Sequence, residues 1–243
     1  MPTNLSGSTQ VPSRGLFSSS TDATEFTLGA KVYSDDKVRS FRWVLVGGTA
    51  LVPGKLYQAS AEITNHQNVT PATAAAGATS ITVTLGATAA TANYYADGWA
   101  IVTTGTGAGY QYRIASNPAA DASASLTITL DDALIAAIAV GDSKIDLVAN
   151  PYSGVIVNPT TATSCVVGVA CYAAAAASYS WVQTGGVAAV LADGALAVGT
   201  NVAASNAVAG AVEAATGVQA LVGIAVTGVA DTQYGAVRLT FDV

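Results

Sequence analysis

The side chains able to do chemistry are few and scattered. His66 is the sole histidine, and a Ser-His-Asp arrangement needs that ring beside a nucleophile. Its neighbours Thr64, Asn65, Gln67 and Asn68 read as a polar loop with no nucleophile signature. One histidine with Cys165 and Cys171 six positions apart matches no usual zinc spacing. Asp35-Asp36 and Asp131-Asp132 are adjacent acid pairs, and neighbours in sequence point apart on a strand. They read as solvated turns in preference to Ca²⁺ ligands or the paired carboxylates of a glycosidase.

Residues 105–109 (GTGAG) resemble a phosphate cradle only at first sight. The Lys-Ser/Thr of a P-loop is missing, the spacing is GxGxG, and the strand-like Tyr110-Gln111-Tyr112-Arg113-Ile114 follows where a helix is needed. A flexible hairpin tip is the expectation, open to contact with a partner. Tyr94, Tyr95, Trp99 and Tyr110 could form a sugar platform or simply a core. The two cysteines are expected as buried free thiols, with a disulfide as the alternative, because residues 1–10 lack the n- and h-regions of a signal peptide. No cofactor is expected, and the chain reads as non-enzymatic.

The elements that must carry these residues are short strands. The chain is 243 residues long with 24 glycines, and only 10% of it is charged, against about 25% in ordinary soluble domains. Burial in an assembly and a neutral Thr/Ser/Ala/Gly surface together account for that deficit. No stretch is long and apolar enough to read as a membrane span. The charge is uneven: six of nine basic residues fall in the first 60 positions with four acids, and the rest carries three basic and eleven acidic residues. Nucleic acid would require a denser basic patch; an acidic protein surface is the better partner.

Residues 1–24 are rich in Ser, Thr, Gly and Pro without periodicity, which reads as an extended arm or a disordered tail. Arg14 and Phe17 are its expected anchors. Residues 26–29, 31–33 and 39–46 read as strands, with Phe41, Trp43 and Leu45 on one face of the last and Arg42 and Val44 on the other. Residues 71–79 (PATAAAGAT) read as a hinge. Beyond it, 80–85 and 125–130 share one alternating Ser/Thr and aliphatic pattern, and 99–103, 110–114 and 144–148 supply three more strands of a small barrel or sandwich. Residues 133–140 fit a short helix or a buried extended run equally well. In 178–191, alternation followed by Gly185-Gly186 and an apolar run predicts a tight hairpin, with Trp181 a core anchor. The C-terminal alternation over 236–243 predicts a paired strand.

The expected fold is therefore all-β, with short-stranded sandwich or barrel units behind an extended N-terminal arm. Its divisions are 1–24 (arm), 25–75 (N-terminal unit docking to a partner), 76–150 (middle unit) and 151–243 (C-terminal sandwich). The expected partner contacts are Arg14, Phe17, Lys37, Arg39 and Arg42.

Over residues 78–243 the chain resembles the head structural proteins of tailed phages of marine or environmental type, which act as capsid decoration or cement proteins. The resemblance is carried by ATSITVTLGATAATANYYADGWAIVTTGTGAGYQYRI, DLVANPYSGVIV, YSWVQTGGVAAVLADGALAVG and VGIAVTGVADTQYGAVRLTF. Its most specific parts are Tyr-x-Trp-Val-Gln-Thr at 179–184 and Val-Gly-x-Ala at 222–225. It implies a β-rich, non-enzymatic homotrimer bound to the major capsid protein on the outer surface of the virion, with no nucleic-acid or membrane partner. The alternative reading is a receptor- or glycan-binding module of a tail or fibre, using the 105–109 tip and its tyrosines.

Overall fold

A computed structural model of the chain describes residues 9–10, 15–217, 219 and 221–241. It is all-β, with single 3-10 turns at Gly15–Phe17 and Thr64–His66. The first five strands are β1 (Thr9–Gln10), β2 (Ser19–Ser20), β3 (Lys31–Tyr33), β4 (Ser40–Leu45) and β5 (Leu56–Gln58). Six more follow: β6 (Thr70–Pro71), β7 (Ser80–Thr84), β8 (Trp99–Thr104), β9 (Gln111–Ser116), β10 (Ser125–Leu130) and β11 (Lys144–Val148). The last seven are β12 (Ile156–Val157), β13 (Val166–Ala170), β14 (Tyr179–Leu191), β15 (Asn201–Ala204), β16 (Val212–Ala214), β17 (Leu221–Ala225) and β18 (Tyr234–Thr240).

The chain forms two compact units, Ala61–Asn150 and the combination of Met1–Ser60 with Pro151–Val243. This differs from the expected separation of 25–75 from 151–243. The reason is a pairing between positions far apart in sequence: β4 lies antiparallel to β14, with Trp43 opposite Trp181 and Val44 opposite Ser180. No local signal encodes such a partner. The expected hinge at 71–79 is likewise part of the middle unit, where Ala74 bridges Ile138 and the Ala72 amide donates to the Thr82 carbonyl at 2.8 Å.

In the middle unit the strand order is β11-β8-β9-β10-β7-β6. The bridge between Val69, just before β6, and Ile145 on β11 joins the two ends of that order, with N–H···O distances of 2.9 and 3.1 Å. The sheet thus curls into a small barrel. The two strands of like pattern are neighbours, Ile81 facing Ile128 and Val83 facing Leu126, and their alternation sends the aliphatic residues inward. Thr82 and Thr127 share a hydroxyl hydrogen bond of 2.8 Å on the outside. Residues 133–140 form no helix. They run irregularly, with Leu134 and Ile138 in the barrel core and Ile135 exposed.

In the other unit the sheet runs β1-β3-β4-β14-β18-β17-β15-β16, with β2, β5, β12 and β13 attached alongside. The predicted hairpin at 178–191 is instead one strand of 13 residues. Gly185-Gly186 makes a bulge, not a turn: the register against β4 shifts between Gln183 and Gly185, and from Gly185 onward the strand pairs with β18. Gly186 has φ +78°, and a Cβ there would lie 2.4 Å from the Val38 carbonyl oxygen. Glycine therefore serves both a left-handed backbone and a close approach. The Gln183 amide donates to the carbonyls of Gly185 (2.9 Å) and Val187 (3.0 Å), tying the bulge together.

Residues 26–29 are turn, not strand, closed by the Ala30 amide on the Thr27 carbonyl at 2.9 Å. Phe26 instead packs on Trp43 and Trp181 with ring centroids 5.1 and 5.0 Å away. Leu16 is fully buried in the same cluster, so part of the expected arm is a core element. The C-terminal alternation forms the paired strand β18, as expected, with a partner on each side; positions 242 and 243 of that expectation lie outside the described residues.

Candidate protein-docking corner

Of the five expected contact residues, Arg14 lies outside the described residues. Two of the others are brought into contact. The Arg39 guanidinium sits over the rings of Phe17 (5.8 Å) and Phe41 (5.6 Å), an arrangement in which the ring quadrupole attracts the cation. Leu16, buried beside Phe41 and Trp43, fixes the 3-10 turn that presents Phe17.

Lys37 belongs to the turn between β3 and β4, two residues from Arg39. The Asp36 carboxylate accepts hydrogen bonds from the Ser34 hydroxyl and from the Val38 amide (3.1 Å). These bonds, the hydroxyl's first, hold the Asp36 carboxyl below its usual range. The Arg39 amide donates to the Ser34 oxygen at 3.1 Å. So constrained, Lys37 takes φ +56°, and Val38 stands 63% exposed. Aromatic and arginine side chains, Phe17, Phe41 and Arg39, share one small corner, residue types enriched at interface centres. Val38 was missed from sequence, lying just before the strand expected over 39–46.

Arg42 is not part of this corner. Its position in β4 places it on the face opposite Phe41 and Trp43. There its guanidinium donates to the Gly29 carbonyl at 2.8 Å and lies 5.5 Å from the centre of the Tyr152 ring. That is a role in holding the fold.

The residues weighed for chemistry are dispersed. His66 is fully buried, a correction to the polar loop expected from its neighbours. Its Nε2 bonds the Thr88 carbonyl at 2.8 Å and its Nδ1 the Tyr95 hydroxyl. Since a carbonyl only accepts, the neutral ring carries its proton on Nε2 and accepts from Tyr95. Burial, with Tyr94 adding to it, pushes the Tyr95 phenol above its usual range. Asp131 pairs with Arg113 at 3.1 Å, and Arg113 also holds Asp97 at 2.5 Å. Asp132 is exposed, so the two neighbouring acids do not converge.

The 105–109 tip is pinned: the Thr106 amide and hydroxyl donate to Asp142 at 2.6 and 2.7 Å. Tyr95 is buried while Tyr110 is exposed and stacks on Tyr112 at 6.3 Å, so the four aromatics make no single platform. Both cysteines are free, but Cys165 is exposed where burial was expected. Cys171 is partly buried, its Sγ donating to Gln183 Oε1 at 3.2 Å, and burial pushes its thiol up to about 11.

A hollow of about 420 Å³ in the larger unit is lined by Asn158, Cys165, Leu221 and Phe241 among others. It brings no acid and base together. Among the described residues no group of three or more His, Cys, Asp or Glu could hold a metal ion.

Comparison with protein-family models, with curated proteins and with solved structures returned no match for this chain.

Proposed function

We propose that this chain is a structural protein of a tailed-phage head, a decoration or cement protein that binds the major capsid protein on the outer shell. The observation that carries the reading is the corner where Phe17 lies under Arg39, at the end of the turn that holds Lys37 and exposed Val38. It offers a compact aromatic and arginine contact to a protein surface, and the low overall charge suits a molecule stabilised by burial against neighbours. The resemblance read from the sequence of residues 78–243 points the same way, with a homotrimer as the expected assembly.

The test is cosedimentation of the purified chain with shells assembled from the major capsid protein. Phe17→Ala and Arg39→Glu are expected to weaken binding at least about tenfold, as truncation of interface anchors does. A wild-type chain that stays in the supernatant sinks the proposal.

A second reading, a receptor- or glycan-binding module, draws on Tyr110, exposed beside the pinned tip. Glycan-array binding abolished by Tyr110→Ala would favour it over shell docking.

A further inference from the structure

Two exposed apolar surfaces elsewhere in the chain carry opposite charge. The first is the outer face of β14, β18 and β17. Cross-strand pairing sets Arg238 between Val187 and Ile224, and all three point outward with Tyr234 and Val226. Arg238 is the only basic residue in 151–243. No described residue forms an ion pair or hydrogen bond with its guanidinium, although directly opposed side chains on a sheet lie within contact distance. A lone cation in an aliphatic row calls for a carboxylate in an equally apolar setting.

The second surface is at the end of the barrel formed by residues 72–79, 105–110 and 131–143. Ile135 is 69% exposed and Val140 60%. The Gly77 amide donates to the Leu134 carbonyl at 2.7 Å, which binds two of these loops together. The barrel unit carries seven acidic and two basic residues. Both bases are engaged, Arg113 with Asp97 and Asp131, and Lys144 Nζ with the Thr70 hydroxyl at 2.7 Å. Asp132, three positions from Ile135, is exposed and has no described partner.

We propose that these surfaces dock on each other between copies of the chain, Arg238 of one copy meeting Asp132 of the next within an aliphatic contact made by Val187, Ile224, Ile135 and Val140. Charge selects this occupant. The acidic barrel repels nucleic acid and anionic lipid, and two copies of the sheet face would set Arg238 against Arg238. The contact is heterologous, joining different patches, so it closes as a ring or grows as a chain of subunits. It needs only the protein itself and stands whether or not the shell-docking corner is used.

Sedimentation velocity of the purified full chain, from low micromolar to several hundred micromolar, tests it. The wild type is expected to self-associate. Arg238→Asp and Asp132→Arg singly should each weaken association about tenfold or more, and the charge-swapped double variant should recover most of it. Ile135→Asp should weaken it as well. All these positions are exposed, so an unchanged near-ultraviolet circular dichroism spectrum is the check that the fold persists. A wild type that remains monomeric throughout overturns the proposal. So does association that ignores or gains from Arg238→Asp, or a double variant no better than the singles. Capsid cosedimentation does not enter this measurement, so the two proposals fail separately.

Discussion

Trp43 and Trp181 stand directly opposite each other on β4 and β14, their ring centroids 4.8 Å apart and both almost wholly buried. The first belongs to the N-terminal sixty residues and the second to the C-terminal third, so this pair fastens the two ends of the chain into one unit. In sequence, the barrel unit Ala61–Asn150 separates these two segments. Phe26 closes on both rings and Tyr179 stacks over Trp43 at 6.1 Å.

Trp181→Ala is expected to destabilise that unit by about 3–5 kcal/mol, the cost of removing a large aromatic from a packed core. The barrel has its own hydrophobic cluster with no member of this one. Urea unfolding followed by tryptophan fluorescence and far-ultraviolet circular dichroism should therefore show one transition moved to lower denaturant and the barrel's transition in place. A single, uniformly shifted transition would contradict the independence of the two cores.

Gly186→Ala distinguishes a bulge from a turn. A Cβ at this position meets the Val38 carbonyl oxygen and the Arg39 side chain, and the backbone is left-handed. The substitution should cost roughly 2 kcal/mol. Gly194→Ala, also left-handed but with open space around its Cβ, should cost less. Equal losses in equilibrium unfolding would mean that backbone conformation alone matters and the close approach of Val38 does not.

Strand identity was legible wherever side chains alternate between core and solvent. Residues 80–84, 125–130 and 144–148 show it, since period-two patterning is a local property. Pairing at long range was not. Gly-Gly serves a two-residue turn and a bulge with the same positive φ, and only the presence of β4 on one side and β18 on the other makes 179–191 continuous. His66 was misread for a related reason. Its polar neighbours signal a loop, but its burial depends on Tyr95 and Thr88, more than twenty positions away. Of the corner, Phe17 was visible as a large side chain in a plain stretch, and Arg39 as one of the bases gathered in the first 60 positions. Leu16, which anchors them, was overlooked among serines, and Arg42 looked equivalent to Arg39 because sequence alone does not say which strand face meets a partner.

His66→Ala should weaken the barrel by about 2–3 kcal/mol, because it leaves the Thr88 carbonyl and the Tyr95 hydroxyl without their partner in a buried site. The readout is the unfolding transition that Trp181→Ala leaves in place. If His66→Ala moves the other transition, or neither, the ring is not the barrel's buried strut.

The two thiols should separate by chemistry and by pH. Cys165 is exposed and should react with a thiol reagent in the native protein, whereas Cys171 should react only on unfolding. Burial raises the Cys171 thiol from 9.0 to about 11, with Arg39 opposing the rise. As pH climbs past 9 the unfolded chain loses this proton while the folded chain keeps it. The unfolded state then binds fewer protons, so folding stability is intact below pH 9 and falls as pH approaches 11. Tyr57 and Tyr95, whose phenols are also raised by burial, add to the loss further into the alkaline range. Denaturant midpoints measured across this window should decline with pH in the wild type and decline less in Cys171→Ala. An identical slope in the two proteins would show that the Cys171 thiol ionises as readily folded as unfolded.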